Sequence, residues 1–238
     1  MNHSKQYTTI LFDLDGTLLP MDQDQFTYTY FKDLAVKLAP FGFDPKALAG
    51  NIWAGVAAMV KNDGTVTNEE AFWTEFSHIY GENVREYIPV FEEFYGNEFQ
   101  RAKKVCGFSP ESKEIVEKLK KAGYQVVLAT NPIFPAIATQ SRIRWAGLEP
   151  EDFLLYTTYE NSSFSKPNPK YYREIVEKLG LDPETCLMVG NDVTEDGAAK
   201  ALGMDVFFLT NCLINKEGED ISNQPHGSFA DLEKFILG

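Results

Sequence analysis

Short apolar runs alternate with longer amphipathic stretches along most of the chain. Runs of four or five residues rich in β-branched and aromatic side chains are typical of buried strands. They occupy 8–12, 125–129, 153–157, 186–189 and 206–209. Helical periodicity occupies 109–122, 133–145, 169–179 and 195–202. Strands that alternate with helices of this length predict an α/β fold, a doubly wound Rossmann-like parallel sheet with helices on both faces.

The stretch from residue 21 to residue 105 interrupts this alternation. It contains no convincing strand, and its pattern predicts four helices at 25–39, 45–61, 68–80 and 84–103. We therefore expect an inserted all-helical domain (21–105, the helical block below) and a core formed by 1–20 and 106–238. An insertion directly after the first strand places the block over the carboxyl ends of the strands, where open α/β sheets bind ligands.

Composition and charge narrow the class of protein. The 238 residues are 44% hydrophobic, which predicts a packed core, and the net charge is −13. This charge argues against nucleic acids and anionic membranes as partners, although a metal ion can still admit a phosphorylated substrate. We find no signal-peptide pattern or membrane-length segment, and we interpret the three dispersed cysteines as reduced thiols. These features predict a cytoplasmic protein; they leave the oligomeric state open.

The first predicted strand ends in two aspartates, Asp13 and Asp15, followed by Gly16 and Thr17. Two carboxylates this close repel each other, and a hard cation such as Mg²⁺, which prefers oxygen ligands, would remove the conflict. An ordinary Asp-Gly turn would give the same local sequence. The choice between these interpretations depends on the rest of the chain.

Polar side chains also follow three later strands. They are Thr130, Asn131, Lys166, Asn191, Asp192 and Asp196. Each one alone has a common structural explanation, such as a strand exit, a solvated lysine or an acid at a helix N-terminus. Because parallel strands end at the same edge of a sheet, the whole set is expected to converge there with Asp13 and Asp15.

The order and spacing of these residues resemble the haloacid dehalogenase (HAD) superfamily, in its phosphatase branch with a helical cap inserted after the first motif. Asp13-Leu-Asp-Gly-Thr17 is similar to the first motif, Thr130 to the second, Lys166 to the third, and Asn191-Asp192 with Asp196 to the fourth. The resemblance covers nearly the full length of the chain.

The resemblance implies a Mg²⁺-dependent phosphatase that hydrolyses a small phosphorylated metabolite through an aspartyl-phosphate. Asp13 would be the nucleophile, and Asp15 would protonate the leaving group and then deprotonate the attacking water. The metal ion would bind the Asp13 carboxylate, the Asp15 backbone carbonyl and Asp192.

The remaining motif residues are implied to support these groups. Thr130 and the Asn131 backbone amide would hold a phosphoryl oxygen, and Lys166 would neutralise charge on Asp13 and the phosphoryl group. Asn191 and Asp196 would lie behind the metal ligands, with Asp196 orienting Lys166 or a metal-bound water. Whether Asn191 itself joins the metal shell stays open.

Three other functions are weighed against the phosphatase. A dehalogenase of this fold lacks the second aspartate, so Asp15 argues against it. A sugar phosphomutase carries a histidine twelve residues after the nucleophile, where this chain has Gln25. A non-catalytic phospho-ligand binding protein would be expected to have lost a catalytic carboxylate. The aromatic residues of the helical block are interpreted mainly as its core, and the substrate stays undetermined.

Overall fold

The computed structural model describes residues 7–238; residues 1–6, which the sequence assigns to the core, lie outside that range. Its sheet contains β1 (Thr9–Phe12), β2 (Gln125–Leu128), β3 (Cys186–Gly190), β4 (Asp205–Leu209) and β5 (His226–Gly227). The strands are all parallel, in the order β2-β1-β3-β4-β5. The predicted Rossmann-like parallel sheet is thereby confirmed.

Eight α-helices of the described chain accompany this sheet. The helical block contains α1 (Gln23–Leu38), α2 (Pro45–Val60), α3 (Asn68–Tyr80) and α4 (Ile88–Gly96). The helices that follow are α5 (Pro110–Lys121), α6 (Ala136–Trp145), α7 (Pro169–Leu179) and α8 (Phe229–Leu237). Within residues 7–238, no helix combines the length and the apolar character needed to cross a bilayer.

Both faces of the sheet are covered, as the alternation of β1 shows. Ile10 and Phe12 pack into a cluster with side chains of α5, α6 and α8. Leu11 points to the opposite face and packs with side chains of α7. A strand buried on both faces is largely apolar, which explains the continuous hydrophobic run from Ile10 to Phe12.

The predicted strand at 153–157 is wrong in its extent. This segment forms no strand of the sheet but an isolated parallel bridge between Tyr156 and Leu128, and its backbone makes three hydrogen bonds with β2. The side chain of Thr157 donates to the Thr130 carbonyl oxygen at 2.6 Å, and the chain then turns away through residues 158–162. The segment therefore borders the sheet briefly before it carries Lys166 back to the site.

Two predicted helices are also corrected. The stretch 84–103 divides into a 3₁₀ helix (Glu82–Tyr87), α4 and a second 3₁₀ helix (Glu98–Val105). Pro89 suits the first turn of a new helix, and Gly96 ends it, because proline lacks an N–H and glycine weakens helical structure. The predicted helix at 195–202 is a 3₁₀ helix at Gly197–Leu202.

The chain enters the helical block and leaves it again at two adjacent points. Met21 and Cys106 form an antiparallel bridge, and the Gly107 N–H donates to the Pro20 carbonyl oxygen at 2.7 Å. A third connection is made by Asn68 at the start of α3, whose fully buried amide donates to Ser165 Oγ at 3.1 Å. The block is thus held over the carboxyl ends of β1 and β2.

Candidate active site

A cavity of about 210 Å³ lies between the carboxyl ends of the strands and the helical block. Seven of the eight side chains predicted for the site line it: Asp13, Asp15, Thr130, Asn131, Asn191, Asp192 and Asp196. The eighth, Lys166, contacts Asp13 directly. In a sheet of order 2-1-3-4-5 the chain reverses direction next to β1, and this switch point is where such folds bind ligands.

A buried lysine joins two carboxylates at the bottom of the cavity. Lys166 Nζ lies 2.8 Å from Asp13 Oδ1 and 2.7 Å from Asp196 Oδ1, and its side chain is fully buried. Burial opposes the charge of Lys166, but the carboxylates of Asp13 and Asp196 raise its pKa well above the ordinary value. One cation thus serves two carboxylates and can neutralise the charge of only one of them when both are ionised.

Asp13 carries the uncompensated part of this charge. Burial raises the pKa of its carboxyl to about 7, and although Lys166 counteracts this, the Asp196 and Asp15 carboxylates add to the rise. The position is fixed by the end of β1, where the Asp13 N–H donates to the Val189 carbonyl oxygen at 2.9 Å. A second cation in the cavity would stabilise the ionised Asp13.

Gly190, at the end of β3, lets Asp196 approach the backbone closely. A Cβ atom at Gly190 would lie 2.0 Å from Asp196 Oδ2, so any other residue would displace this carboxylate. The same oxygen accepts from the Asp192 N–H at 2.9 Å. Asp196 therefore orients Lys166 with one oxygen and the Asp192 backbone with the other.

Asn191 fastens the first motif to β3. Its Oδ1 accepts from Thr17 Oγ1 at 3.0 Å, and its Nδ2 donates to the Cys212 carbonyl oxygen at 2.7 Å. Gly16 has a φ of +90°, and a Cβ there would lie 2.3 Å from Asn191 Nδ2. Both ends of the Asn191 amide are thus engaged with protein groups, which explains the Gly-Thr pair that follows the aspartates.

Asp15 forms an ion pair that the motifs do not reveal. Its Oδ2 accepts from Arg142 Nη1, while its Oδ1 is buried and has no hydrogen-bond partner among the described residues. Arg142 lies on α6, is 1% exposed, and its guanidinium carbon is 4.3 Å from the centre of the Phe134 ring. A charged residue on the buried face of a predicted helix is the sequence signal that could have revealed it.

Thr130 and Asn131 follow β2 and face the same cavity. The Thr130 carbonyl accepts from Tyr171 Oη at 2.8 Å, which fixes the backbone of this strand exit. The Asn131 amide donates to both carboxylate oxygens of Glu195, at 3.3 and 3.2 Å. Burial raises the pKa of Glu195 to about 7. Glu195 begins the predicted helix at 195–202 and belongs to none of the four motifs, so the structure adds this acid to the site.

The donor set suits a hard divalent cation. Asp13 and Asp192 bring carboxylates to the cavity, and among the described residues its lining contains five acids and one lysine, Lys216. Within residues 7–238 no three His, Cys, Asp or Glu side chains form a ready-made metal cluster. The predicted set relies instead on two carboxylates and the Asp15 backbone carbonyl, all oxygen donors of the kind Mg²⁺ prefers, with room for water.

The chain is similar to known proteins in both sequence and fold. The family model for haloacid dehalogenase-like hydrolases matches residues 7–203. Pyrophosphatase PpaX of Bacillus velezensis is 25% identical over 199 residues, covering 84% of this chain and 81% of that protein. A phosphoglycolate phosphatase of Vibrio vulnificus is 27% identical over 228 residues, covering 96% and 93%. A HAD phosphatase structure from Thermococcus onnurineus has a TM-score of 0.58 at 20% identity, covering 97% and 98%.

The family match spans well over half of the chain and includes all four motifs. The chain therefore belongs to the haloacid dehalogenase-like hydrolases, and the family predicted from its strand-end residues is confirmed. The candidate site lies within the matched residues, and its central carboxylate, Asp13, contacts a buried lysine.

Proposed function

We propose that the protein is a Mg²⁺-dependent phosphatase that hydrolyses a small phosphate monoester through an aspartyl-phosphate on Asp13. The observation that carries the proposal is the arrangement of Asp13 and Asp15 in one cavity, with Lys166 held 2.8 Å from Asp13. The relatives named above, a pyrophosphatase and a phosphoglycolate phosphatase, act on phosphate compounds, which supports phosphorus as the reacting centre.

The proposed reaction has two steps. In the first, an Asp13 oxygen attacks phosphorus, the bond from phosphorus to the leaving oxygen breaks, and Asp15 gives that oxygen a proton. In the second, Asp15 takes a proton from water as the water oxygen attacks phosphorus, and the bond to Asp13 breaks. Lys166 and the Asn131 backbone N–H would stabilise charge on the phosphoryl oxygens, as would the Thr130 hydroxyl.

Magnesium would be held by the Asp13 and Asp192 carboxylates and by the Asp15 carbonyl. When bound it supplies positive charge beside the phosphoryl group, which Lys166 alone cannot provide while it also serves Asp196. Asn191 is excluded from our proposed ligand set because both ends of its amide bind protein groups. Asp196 orients Lys166 from behind.

The proposed domain division follows the path of the chain. Residues 21–105 would act as a cap over a core of 1–20 and 106–238, since both crossings lie together at the Met21–Cys106 bridge. Gln25, the position that would hold a histidine in a phosphomutase, is exposed, and its N–H serves the Asp22 cap of α1. This arrangement favours hydrolysis over phosphoryl transfer back to a sugar.

The test is Mg²⁺-dependent release of phosphate from a panel of phosphate monoesters, with an Asp13→Asn variant as control. We expect turnover that stops with EDTA, returns with Mg²⁺, and falls at least about 10⁴-fold in the variant. Mass spectrometry of enzyme quenched during turnover should place a phosphoryl adduct on Asp13. Robust turnover without metal, or an adduct on another residue, would overturn the mechanism.

A further inference from the structure

The leaving group of the proposed reaction must occupy the part of the cavity beneath the helical block. Displacement at phosphorus places the attacking and leaving oxygens roughly in line. Asp13 attacks from the acidic end of the cavity, so the departing group lies on the opposite side, against the helical block. We call the residues of the helical block that line the cavity the wall. The acidic end, called the floor, comprises the carboxylates of Asp13, Asp15, Asp192, Glu195 and Asp196 and their buried partners Lys166 and Arg142. The side chains of the wall decide which phosphate esters fit.

The helical block presents no charge to this space. Thirteen of its residues line the cavity, and none of these thirteen is Asp, Glu, Lys, Arg or His. Most are aromatic or aliphatic; Gln23 and Thr27 are the polar exceptions. An ionised group placed against such a wall would lose hydration without gaining a partner, which is costly.

Trp53 and Phe31 are two aromatic residues of the wall that line the cavity. Trp53 is 50% exposed although it lines the cavity, and its ring meets the Phe31 ring edge-on at 5.7 Å. Deeper in the wall the hydroxyls of Tyr30 and Tyr95 lie 3.0 Å apart, and burial raises the pKa of Tyr30 to about 12, which keeps it neutral. The wall thus offers ring faces and neutral hydroxyls.

The described cations near the cavity do not provide a strong partner for an anionic leaving group. Lys166 is bound to Asp13 and Asp196, and Arg142 is bound to Asp15. Lys216 lines the cavity from the core side and is exposed, so it offers only a screened charge. A carboxylate or second phosphate on the leaving group would instead face the acids of the floor.

We infer that the substrates are phosphate monoesters of uncharged, largely apolar alcohols or phenols with about one ring in the leaving group. This inference rests on the proposed phosphatase function and names its substrate class. The cavity of about 210 Å³ must also hold the phosphoryl group beside Asp13, so the space left for the leaving group is close to the volume of about 150 Å³ in which an apolar cavity holds one benzene molecule. Phosphoglycolate and pyrophosphate, named for two relatives, carry an anion in the leaving group and fit this wall poorly.

The first experiment compares benzyl phosphate with 2-phosphoglycolate in the presence of Mg²⁺. Both release a primary alkoxide, so the comparison isolates the ring from the carboxylate. We expect kcat/KM for benzyl phosphate to exceed that for phosphoglycolate and for pyrophosphate by at least about 100-fold. Equal or greater activity on the two anionic compounds would overturn this inference alone. Absence of hydrolysis of every phosphate ester would overturn the proposed function itself.

Two substitutions in the wall, Val56→Lys and Trp53→Ala, then test the inference directly. Val56→Lys places a cation on α2 inside the cavity, and Val60→Lys, one turn further along at a position 44% exposed and outside the lining, is its control. We expect Val56→Lys to raise kcat/KM for phosphoglycolate about 10-fold and to lower it for benzyl phosphate, with no change for Val60→Lys.

Trp53→Ala should raise KM for benzyl phosphate about 10-fold and leave methyl phosphate unaffected, because only the former reaches the indole. A Val56→Lys enzyme with unchanged selectivity, or a Trp53→Ala enzyme with unchanged KM for benzyl phosphate, would show that the leaving group does not contact this wall and would overturn the inference.

Discussion

The floor and the wall of the cavity differ in almost every physical property. The floor carries five carboxylates close to one another and a fully buried lysine, whereas the helical block contributes thirteen residues without a charge. Charges at the floor are close and partly unpaired, which costs stability and favours a reactive group. The wall is apolar, which favours burial and adds nothing to phosphoryl chemistry. In the proposed function, the reaction takes place at the floor and the wall selects the substrate.

Among substitutions of the buried cations, removal of Lys166 from the floor should give the largest effect. Lys166→Met leaves the Asp13 and Asp196 carboxylates buried without their shared partner. We expect kcat to fall about 10³-fold, because the phosphoryl charge loses its stabilising ammonium. The melting temperature in EDTA should also fall, and Mg²⁺ should restore part of it.

Lys170→Met is the matched control, since Lys170 is exposed at the start of α7 and lies above the Phe164 ring. Phosphate release at saturating substrate measures kcat, and differential scanning calorimetry measures stability. A Lys166→Met enzyme with the kcat of the control would show that the floor does not depend on this cation.

The floor could be anticipated from the sequence for a simple geometric reason. Carboxyl ends of parallel strands share one edge, so polar residues that follow β1, β2 and β3 had to meet whatever the loops between them do. Lys166 lies at the site even though the segment before it, predicted as a strand, forms an isolated bridge instead. The prediction that polar residues after parallel strands meet therefore does not depend on the exact bounds of each predicted strand.

The wall could not be anticipated in the same way. Trp53 and Phe76 are both aromatic residues at helical spacing, yet Trp53 lines the cavity and Phe76 is buried against Phe72 and Phe91. Periodicity places both on an apolar face but does not say what that face meets. Periodicity likewise places Arg142 on the buried side of α6 but does not say which residue it meets there, because only the packing of α6 brings it to Asp15.

The stability of the protein should depend on pH, because the Asp13 carboxyl is buried at the floor. Burial raises the pKa of Asp13 to about 7 in the folded protein, against an ordinary value of 3.8. The folded state therefore binds this proton more tightly than the unfolded state. The stability linked to Asp13 is fully present below pH 4 and is lost as the pH rises through 7, by about 4 kcal/mol at most.

Asp13→Asn removes this titration, so the difference between the two proteins reports the contribution of Asp13 together with its contact with Lys166. In EDTA, the two proteins should be equally stable near pH 4, and the variant should be more stable near pH 8, as measured by urea unfolding at each pH. Mg²⁺ should stabilise the wild type and reverse the difference at neutral pH. A difference that does not change with pH would contradict the assignment of strain to Asp13.

Arg142 is the floor's second buried cation, and its loss should have a smaller effect on catalysis. Arg142→Met removes the partner of Asp15 together with hydrogen bonds to the Ala138 carbonyl and to Thr139 Oγ1. We expect a loss of about 3 kcal/mol in the free energy of unfolding and a fall in kcat of about 10-fold, because Asp15 is no longer held in place.

Arg144→Met provides the control two residues along α6, where the side chain is half exposed and pairs with Glu149. Urea unfolding gives the stability, and the pH profile of kcat reports whether Asp15 still acts as the proton donor. A normal kcat with an unchanged profile would show that Asp15 is positioned without Arg142.

The smallest effect is expected where the wall is attached to the floor. The amide of Asn68, at the start of α3, is fully buried and donates to the Pro132 carbonyl at 3.2 Å and to Ser165 Oγ at 3.1 Å, next to Lys166. Asn68→Ala leaves these acceptors unpaired, so we expect a loss of about 2 kcal/mol in stability and a rise of a few-fold in KM.

Asn51→Ala is the contrasting variant, because the Asn51 amide donates to Tyr80 Oη at 2.7 Å entirely within the helical block. It should change stability by about 1 kcal/mol and leave KM unaltered. If Asn68→Ala lowered stability but left KM at the wild-type value, the position of the wall would not depend on this amide. A raised KM with unchanged kcat would instead show that the wall governs binding while the floor governs the chemical step.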